Sequence, residues 1–174
     1  PRTLEPEPGI AERWDISPDG TVYTFHLRRS LWSDGTPCTA RDFRFGWLRV
    51  LSPETGSEYI NLLYYIRNAR SFAEGKCPAD DVGIRTLDDY TLRVELERPV
   101  PFFLSLAAFP TYYPAPSWAV EKHGRNWVRP GNIVCNGPYI LTKWELNDYI
   151  LLEKNPLYWD AQNVSLNKIL ALSV

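Results

Sequence analysis

The stretch AERWDISPDGTVYTFHLRRSLWSDG, residues Ala11 to Gly35, decides how this chain of 174 residues is read. Pro18-Asp19-Gly20 combines a fixed φ with a residue that tolerates positive φ, which is what a reversal requires. Tyr23, Phe25 and Leu27 then alternate with Thr24, His26 and Arg28. A period of two gives a strand one apolar and one polar face. Trp32 leads into a second turn at Ser33-Asp34-Gly35, followed by Thr39-Ala40-Arg41-Asp42. Thr39 is suited to cap a helix, and Asp42 stands at the third position, where an acid is favoured. The predicted order is turn, strand, turn, capped helix.

Working outward, Phe43, Trp47, Val50 and Leu51 share one face of the helix after Thr39, and Pro53 ends it. A second helical stretch is expected after Ser57, with Ile60, Leu63, Tyr64 and Ala69 on its apolar side and Gly75 as its terminator. Ile84, Thr86 and then Leu92, Val94, Leu96 alternate on either side of Asp88-Asp89, the pattern of a hairpin. Pro101 opens a short helix carrying Phe102, Phe103 and Leu106, and FPTYYPAP (109–116) breaks regular structure. Ser117 caps a further short helix through Trp118, Val120 and Glu121, stopped by Gly124, with an irregular stretch running on to Asn136-Gly137-Pro138. A second hairpin has Tyr139, Leu141 and Lys143 on one side of Asn147-Asp148 and Ile150 and Leu152 on the other; Lys168 to Val174 is a last apolar strand. The fold class is mixed α/β, dominated by antiparallel hairpins with short helices. No internal repeat or low-complexity tract interrupts it.

Composition bounds the function. Hydrophobic residues make up 44% and charged residues 23%, ordinary globular usage, and at this length a chain buries roughly two-thirds of its unfolded surface. One or two domains fit. A net charge of -2 without a basic tract argues against nucleic acid as a partner. No apolar run is long enough to cross a bilayer, and PRTLEPEPG at the start has neither the basic nor the apolar region of an export signal.

No constellation points to catalysis, and none to a cofactor. Ser33-Asp34-Gly35 lacks the G-x-S-x-G elbow, and neither His26 nor His123 has a partner in a nucleophilic triad. Asp80-Asp81 and Asp88-Asp89 read as solvated acids beside turns, without the glycine spacing and oxygen count of a calcium loop. Cys38, Cys77 and Cys135 are odd in number and widely spaced, unlike paired-cysteine zinc ligands, so no metal site is expected. Cys38 and Cys135 read as small core residues. Aromatics reach 14%. Trp14, Phe25, Trp32, Phe43 and Trp47 are assigned to packing, whereas Tyr64-Tyr65 and Tyr112-Tyr113 are left open, the latter in a proline-rich loop of the kind that carries function.

Three segments in order carry a resemblance that propensities do not supply: TFHLRRSLWSDGTPCTARDF, DVGIRTLDDYTLRVELERPVPFF and PGNIVCNGPYILTKWELNDYILLEKNPLYWD. Together they resemble the bacterial extracellular solute-binding proteins, family 5, which serve peptide transporters, and most of all the oligopeptide-binding members. The likeness runs from about Pro8 to the C-terminus. It implies part of a type II periplasmic-binding-protein-like fold, with 1–118 as the small second lobe and 119–174 as the remainder of that lobe and the return into the first. Family members are exported and longer, so the chain is expected to be a fragment without the export signal and the large third lobe.

The resemblance implies capture of an oligopeptide between closing lobes and delivery to the permease of an ABC transporter, with no bond made or broken. It further implies a monomer, a periplasmic or extracellular membrane-associated location, and no cofactor. Relatives binding dipeptides, murein peptides or nickel complexes are the nearest alternatives; a carbohydrate-binding module and an enzyme are more distant ones. Export would also permit a Cys38–Cys77 bridge. One residue carries over. In oligopeptide-binding members a tyrosine two residues beyond a serine reaches the bound peptide, and Leu51-Ser52-Pro53-Glu54-Thr55-Gly56-Ser57-Glu58-Tyr59 matches that string, making Tyr59 the expected ligand contact. A proline commonly precedes that tyrosine; here Glu58 does, leaving the backbone less restricted and adding a negative charge.

Overall fold

The computed structural model describes residues 5–173. Val174, the last residue of the predicted final strand, lies outside them, as do the first four. The chain divides into two units, one of residues 1–28 with 39–115, the other of residues 29–38 with 116–174.

The first unit is a four-stranded antiparallel sheet covered on one face by helices. Its strands are β1 (Ala11–Ile16), β2 (Val22–Leu27), β5 (Ile84–Asp88) and β6 (Thr91–Glu95), in the spatial order β1-β2-β6-β5. The turn at Ser17–Gly20, with Gly20 at φ 69° and its N–H on the Ser17 carbonyl at 2.9 Å, joins β1 to β2. Strand β1 carries no clean alternation, and its inclusion is a tertiary outcome: it pairs along β2 with Trp14 opposite Phe25 and Asp15 opposite Thr24. The predicted apolar set of β2 faces inward, with Tyr23 opposite Val94 and Phe25 opposite Leu92. His26, on the polar face, pairs with Asp15 across the strands, Nε2 to Oδ2 at 2.6 Å.

Helix α1 (Ala40–Leu51) lies against the inner face and buries Ala40, Trp47 and Leu51, with Phe43 and Val50 half-buried beside them. Its start is fixed by the buried Asp42, whose carboxylate accepts the Thr39 N–H at 2.7 Å and the Thr39 hydroxyl at 3.3 Å. The acid expected at the third position therefore satisfies an otherwise orphaned helix-terminal donor. Ser52, extended as the residue before a proline must be, ends the helix.

The single helical stretch expected after Ser57 is instead two pieces. A 3₁₀ segment covers Ile60–Tyr65 and a short helix, α2, covers Ala69–Ala73. Between them Ile66 bridges Leu96, the Arg67 N–H donates to the Glu95 carbonyl, and the Gly83 N–H donates to the Arg67 carbonyl, both at 2.8 Å. Those donors and acceptors are committed to the sheet, so the helix cannot run through them. Asn68 turns the chain at φ 59°. Gly75, at φ 70°, does terminate the second piece. Helix α3 (Phe103–Ala107) begins two residues beyond Pro101 and buries Phe103. The proline-rich loop is not wholly irregular, since Pro110–Tyr112 forms a 3₁₀ turn.

The second unit contains the two-residue strands β3 (Ser30–Leu31) and β4 (Pro37–Cys38) around the predicted Ser33-Asp34-Gly35 turn. Helix α4 (Ser117–His123) starts directly after Pro116, so Ser117 is its first residue and not its cap; Gly124, at φ 53°, ends it. The 3₁₀ turn Gly124–Val128 interrupts the stretch expected to be irregular. Strands β7 (Tyr139–Glu145), β8 (Tyr149–Lys154) and β9 (Lys168–Leu172) form an antiparallel sheet in that order, with Leu141, Leu152 and Ile169 in one row. Asn155 is fully buried and satisfied on three sides: Nδ2 donates to the Gly137 carbonyl, its backbone N–H to Pro138, and Oδ1 accepts from Leu157.

Trp32 is buried and meets Trp118 edge-on at 5.8 Å, while the Trp118 Nε1–H donates to Asp34 Oδ2 at 3.0 Å. Burial alone would raise the Asp34 carboxyl, but hydrogen bonds from the Thr36 hydroxyl, the Thr36 N–H and the Trp118 indole outweigh it and hold the group below its ordinary 3.8. A lowered folded value means that this group's stabilisation is complete above 3.8 and disappears as pH falls through the folded value. The Trp118 indole N–H resonance is expected to titrate with a midpoint below 3.8, and Asp34→Asn to abolish that titration.

Cys38 is buried as expected and takes the Asn136 Nδ2–H at 3.4 Å, whereas Cys135 is only half-buried, its Sγ 3.2 Å from the Tyr139 carbonyl. Burial pushes the Cys135 thiol up, away from the reactive thiolate. Among the described residues no disulfide is present, and Cys77 Sγ lies 3.8 Å from the Asn68 carbonyl.

Candidate functional site

The chain enters the region of interest through the 3₁₀ turn Pro53–Thr55 and Gly56, whose φ of 63° redirects it into Ser57, Glu58 and Tyr59. Tyr59 heads the Ile60–Tyr65 segment and accepts the Leu62 N–H on its carbonyl at 3.1 Å. The residue is 54% exposed. No hydrogen bond to its hydroxyl is formed among the described residues, so that phenol retains both its donor and its acceptor. Glu58 beside it is also exposed.

The floor under this surface is aromatic and buried. Tyr112 is 1% exposed, its hydroxyl donating to the Leu62 carbonyl at 2.6 Å and its carbonyl accepting the Trp47 Nε1–H at 2.7 Å. Burial, reinforced by Tyr65, pushes the Tyr112 phenol far above its ordinary value, so it stays protonated and serves as a donor. Trp47 meets Tyr112 edge-on at 5.0 Å, and Phe103 does so at 5.9 Å. Gly46 lets the following loop cross α1 closely: a Cβ there would stand 3.0 Å from the Tyr113 carbonyl and 3.1 Å from the Ala115 nitrogen.

Above this floor, Phe109 packs on Tyr59 with ring centroids 5.6 Å apart and planes tilted by 57°. Phe109 is itself 39% exposed, and Tyr113 more so. The pair left open in the sequence thus divides: Tyr112 is a core anchor and Tyr113 a surface ring. Tyr64 and Tyr65 are half-buried against the core, Tyr65 edge-on to Phe102 at 5.5 Å. Sequence places Phe109 only in the loop, because nothing local shows that its ring meets one fifty residues earlier.

The remaining candidates stay apart from this surface. His26 is engaged by Asp15, Asp80 by Arg44 at 2.7 Å and Asp89 by Arg41 at 3.3 Å. Among the described residues no three of His, Cys, Asp and Glu converge as metal ligands, and no helix is long and apolar enough to cross a membrane. What the surface offers is a packed pair of half-exposed rings with a phenol unengaged among the described residues, suited to holding a ligand by hydrogen bonding and apolar contact.

The chain belongs to the bacterial extracellular solute-binding proteins, family 5, whose middle region matches residues 5–174. It is 46% identical over 172 residues to the periplasmic oligopeptide-binding protein OppA of Salmonella typhimurium, covering 97% of this chain and 32% of that protein. The crystal structure of a periplasmic oligopeptide-binding protein of Borrelia burgdorferi, OppAIV, matches with a TM-score of 0.93 at 42% identity, covering 96% of this chain and 34% of that one. Haemophilus influenzae OppA, in complex with RPPGFSPFR, matches at 0.93 and 38% identity over 97% of this chain and 33% of that one. The chain spans about a third of the length of the curated relatives it matches. Its fold is part of the periplasmic-binding-protein fold of these relatives.

Proposed function

We propose that the chain is part of a periplasmic or extracellular membrane-associated binding protein. This protein captures oligopeptides between closing lobes and delivers them, as a monomer, to the membrane permease of an ABC transporter. Residues 1–118 serve as the small lobe and 119–174 as its remainder and the return toward the first lobe. Main-chain hydrogen bonds supply affinity that tolerates varied side chains, as in strand addition, and hinge closure excludes water. The protein binds and releases without chemistry. Tyr59 supplies one hydrogen bond to the ligand main chain.

The observation that carries this reading is the half-exposed Tyr59 ring with an unengaged hydroxyl, at the position the oligopeptide-binding pattern marks. The test is calorimetry with RPPGFSPFR on the protein encoded by the complete gene. Tyr59→Phe, which removes only the hydroxyl, is expected to weaken binding by about three- to tenfold, the loss of one net hydrogen bond. An affinity unchanged within error would remove Tyr59 from the site. Heat from oligosaccharides in place of peptides would overturn the ligand class.

A further inference from the structure

Four residues of the first unit form a closed circuit. The Leu62 N–H donates to the Tyr59 carbonyl at 3.1 Å, and the Tyr112 hydroxyl donates to the Leu62 carbonyl at 2.6 Å. The Tyr112 N–H donates to the Phe109 carbonyl at 2.9 Å, and the Phe109 ring closes the circuit on the Tyr59 ring. The buried half of this clasp is polar and directional. The surface half is an aromatic pair, and Phe109 is the ring against Tyr59 among the described residues.

The backbone at Phe109 has little freedom. It is extended, at φ -79° and ψ 145°, and precedes Pro110, which excludes the helical region for it and fixes the next φ. Tyr112, three residues on, is bolted into the core by Leu62 and Trp47. The Phe109 backbone is therefore fixed, while Tyr59, at the head of a 3₁₀ segment, has no polar side-chain contact among the described residues to choose a rotamer. A side chain free to sample several wells loses part of its binding free energy in being ordered by the ligand.

We propose that Phe109 is a positioning residue for ligand binding, holding the Tyr59 phenol in its binding rotamer through the clasp that Leu62 and Tyr112 complete. This rests on the peptide reading of Tyr59. It makes residue 109 a determinant of affinity that acts through Tyr59, and it explains why a large apolar ring is kept half-exposed on a loop.

The test uses the protein encoded by the complete gene, with two readouts. In the ligand-free state, the ring signals of selectively labelled Tyr59 are followed by NMR in the wild type, Phe109→Ala and Phe109→Tyr. Alanine is expected to shift these signals and average the ring toward free rotation, and tyrosine to preserve the wild-type pattern. By calorimetry with RPPGFSPFR, Phe109→Ala is expected to weaken binding by about three- to tenfold, the range of one aromatic pair, and Phe109→Tyr to restore it. In a Tyr59→Ala background the Phe109→Ala change is expected to cost nothing further. Circular dichroism confirms folding, and Phe109→Leu serves as a second variant that keeps apolar bulk without the ring. Unmoved Tyr59 signals, or an equal loss in both backgrounds, would overturn the positioning role while leaving the peptide reading intact. Absence of peptide binding in the wild type would overturn the peptide reading and the role of Phe109 with it.

Discussion

Trp47→Ala is expected to destabilise the chain by about 3–5 kcal/mol, the range for truncating a buried tryptophan. The indole is 2% exposed and packs edge-on to Phe43 and Tyr112. Its removal leaves a cavity and also deprives the buried Tyr112 carbonyl of its donor at 2.7 Å. Trp47→Phe separates the two effects: the ring volume is largely kept, and the remaining loss, about 1–3 kcal/mol, reports the unpaired carbonyl together with a smaller cavity. At this chain length roughly 3 °C of Tm accompanies each kcal/mol, so calorimetric unfolding resolves both variants. A loss below 1 kcal/mol for Trp47→Ala would show that the first unit's core does not centre on α1 and the 109–115 loop.

The second large effect is expected at a backbone position. A Cβ on Gly83 would collide with the Glu95 carbonyl oxygen and stand 3.0 Å from Arg67 Cβ and 3.1 Å from Glu95 Cβ. The first of these is backbone and cannot swing aside. Gly83 also donates to Arg67 and accepts from Glu95, both at 2.8 Å, so relief of the clash must break a hydrogen bond that links the 66–67 segment to the sheet. Gly83→Ala is expected to cost about 2–4 kcal/mol. Gly9→Ala, with open space around its Cβ, is expected to change stability by less than about 0.5 kcal/mol. Amide exchange at Glu95 gives the local readout, accelerating by about tenfold for every 1.4 kcal/mol lost, and unchanged exchange would refute the clash.

Much of this fold was legible because its strands alternate and its turns carry their own chemistry. Tyr23, Phe25 and Leu27 announce the buried face of β2, and Pro18-Asp19-Gly20 and Asn147-Asp148 mark reversals that the backbone then makes. Helix α1 was readable from Thr39 and Asp42 to Pro53 because capping and termination are local. The failures share one cause. Strand β1 owes its place to pairing with β2, and the break at Ile66–Asn68 owes its place to Gly83 and Glu95, partners that no local window contains. Likewise Tyr59 was visible through its motif, but the division of Tyr112 from Tyr113, and the approach of Phe109, depend on contacts about fifty residues apart in sequence.

The excursion of residues 29–38 out of the first unit has a consequence for synthesis. Every segment of that first unit precedes Pro116, so its core needs nothing made after Ala115. The small hairpin has by then been made for some eighty residues, yet Trp32 still lacks Trp118 and Asp34 lacks its indole donor. Completion of the second unit therefore waits on the downstream helix, which brings both the ring and the donor.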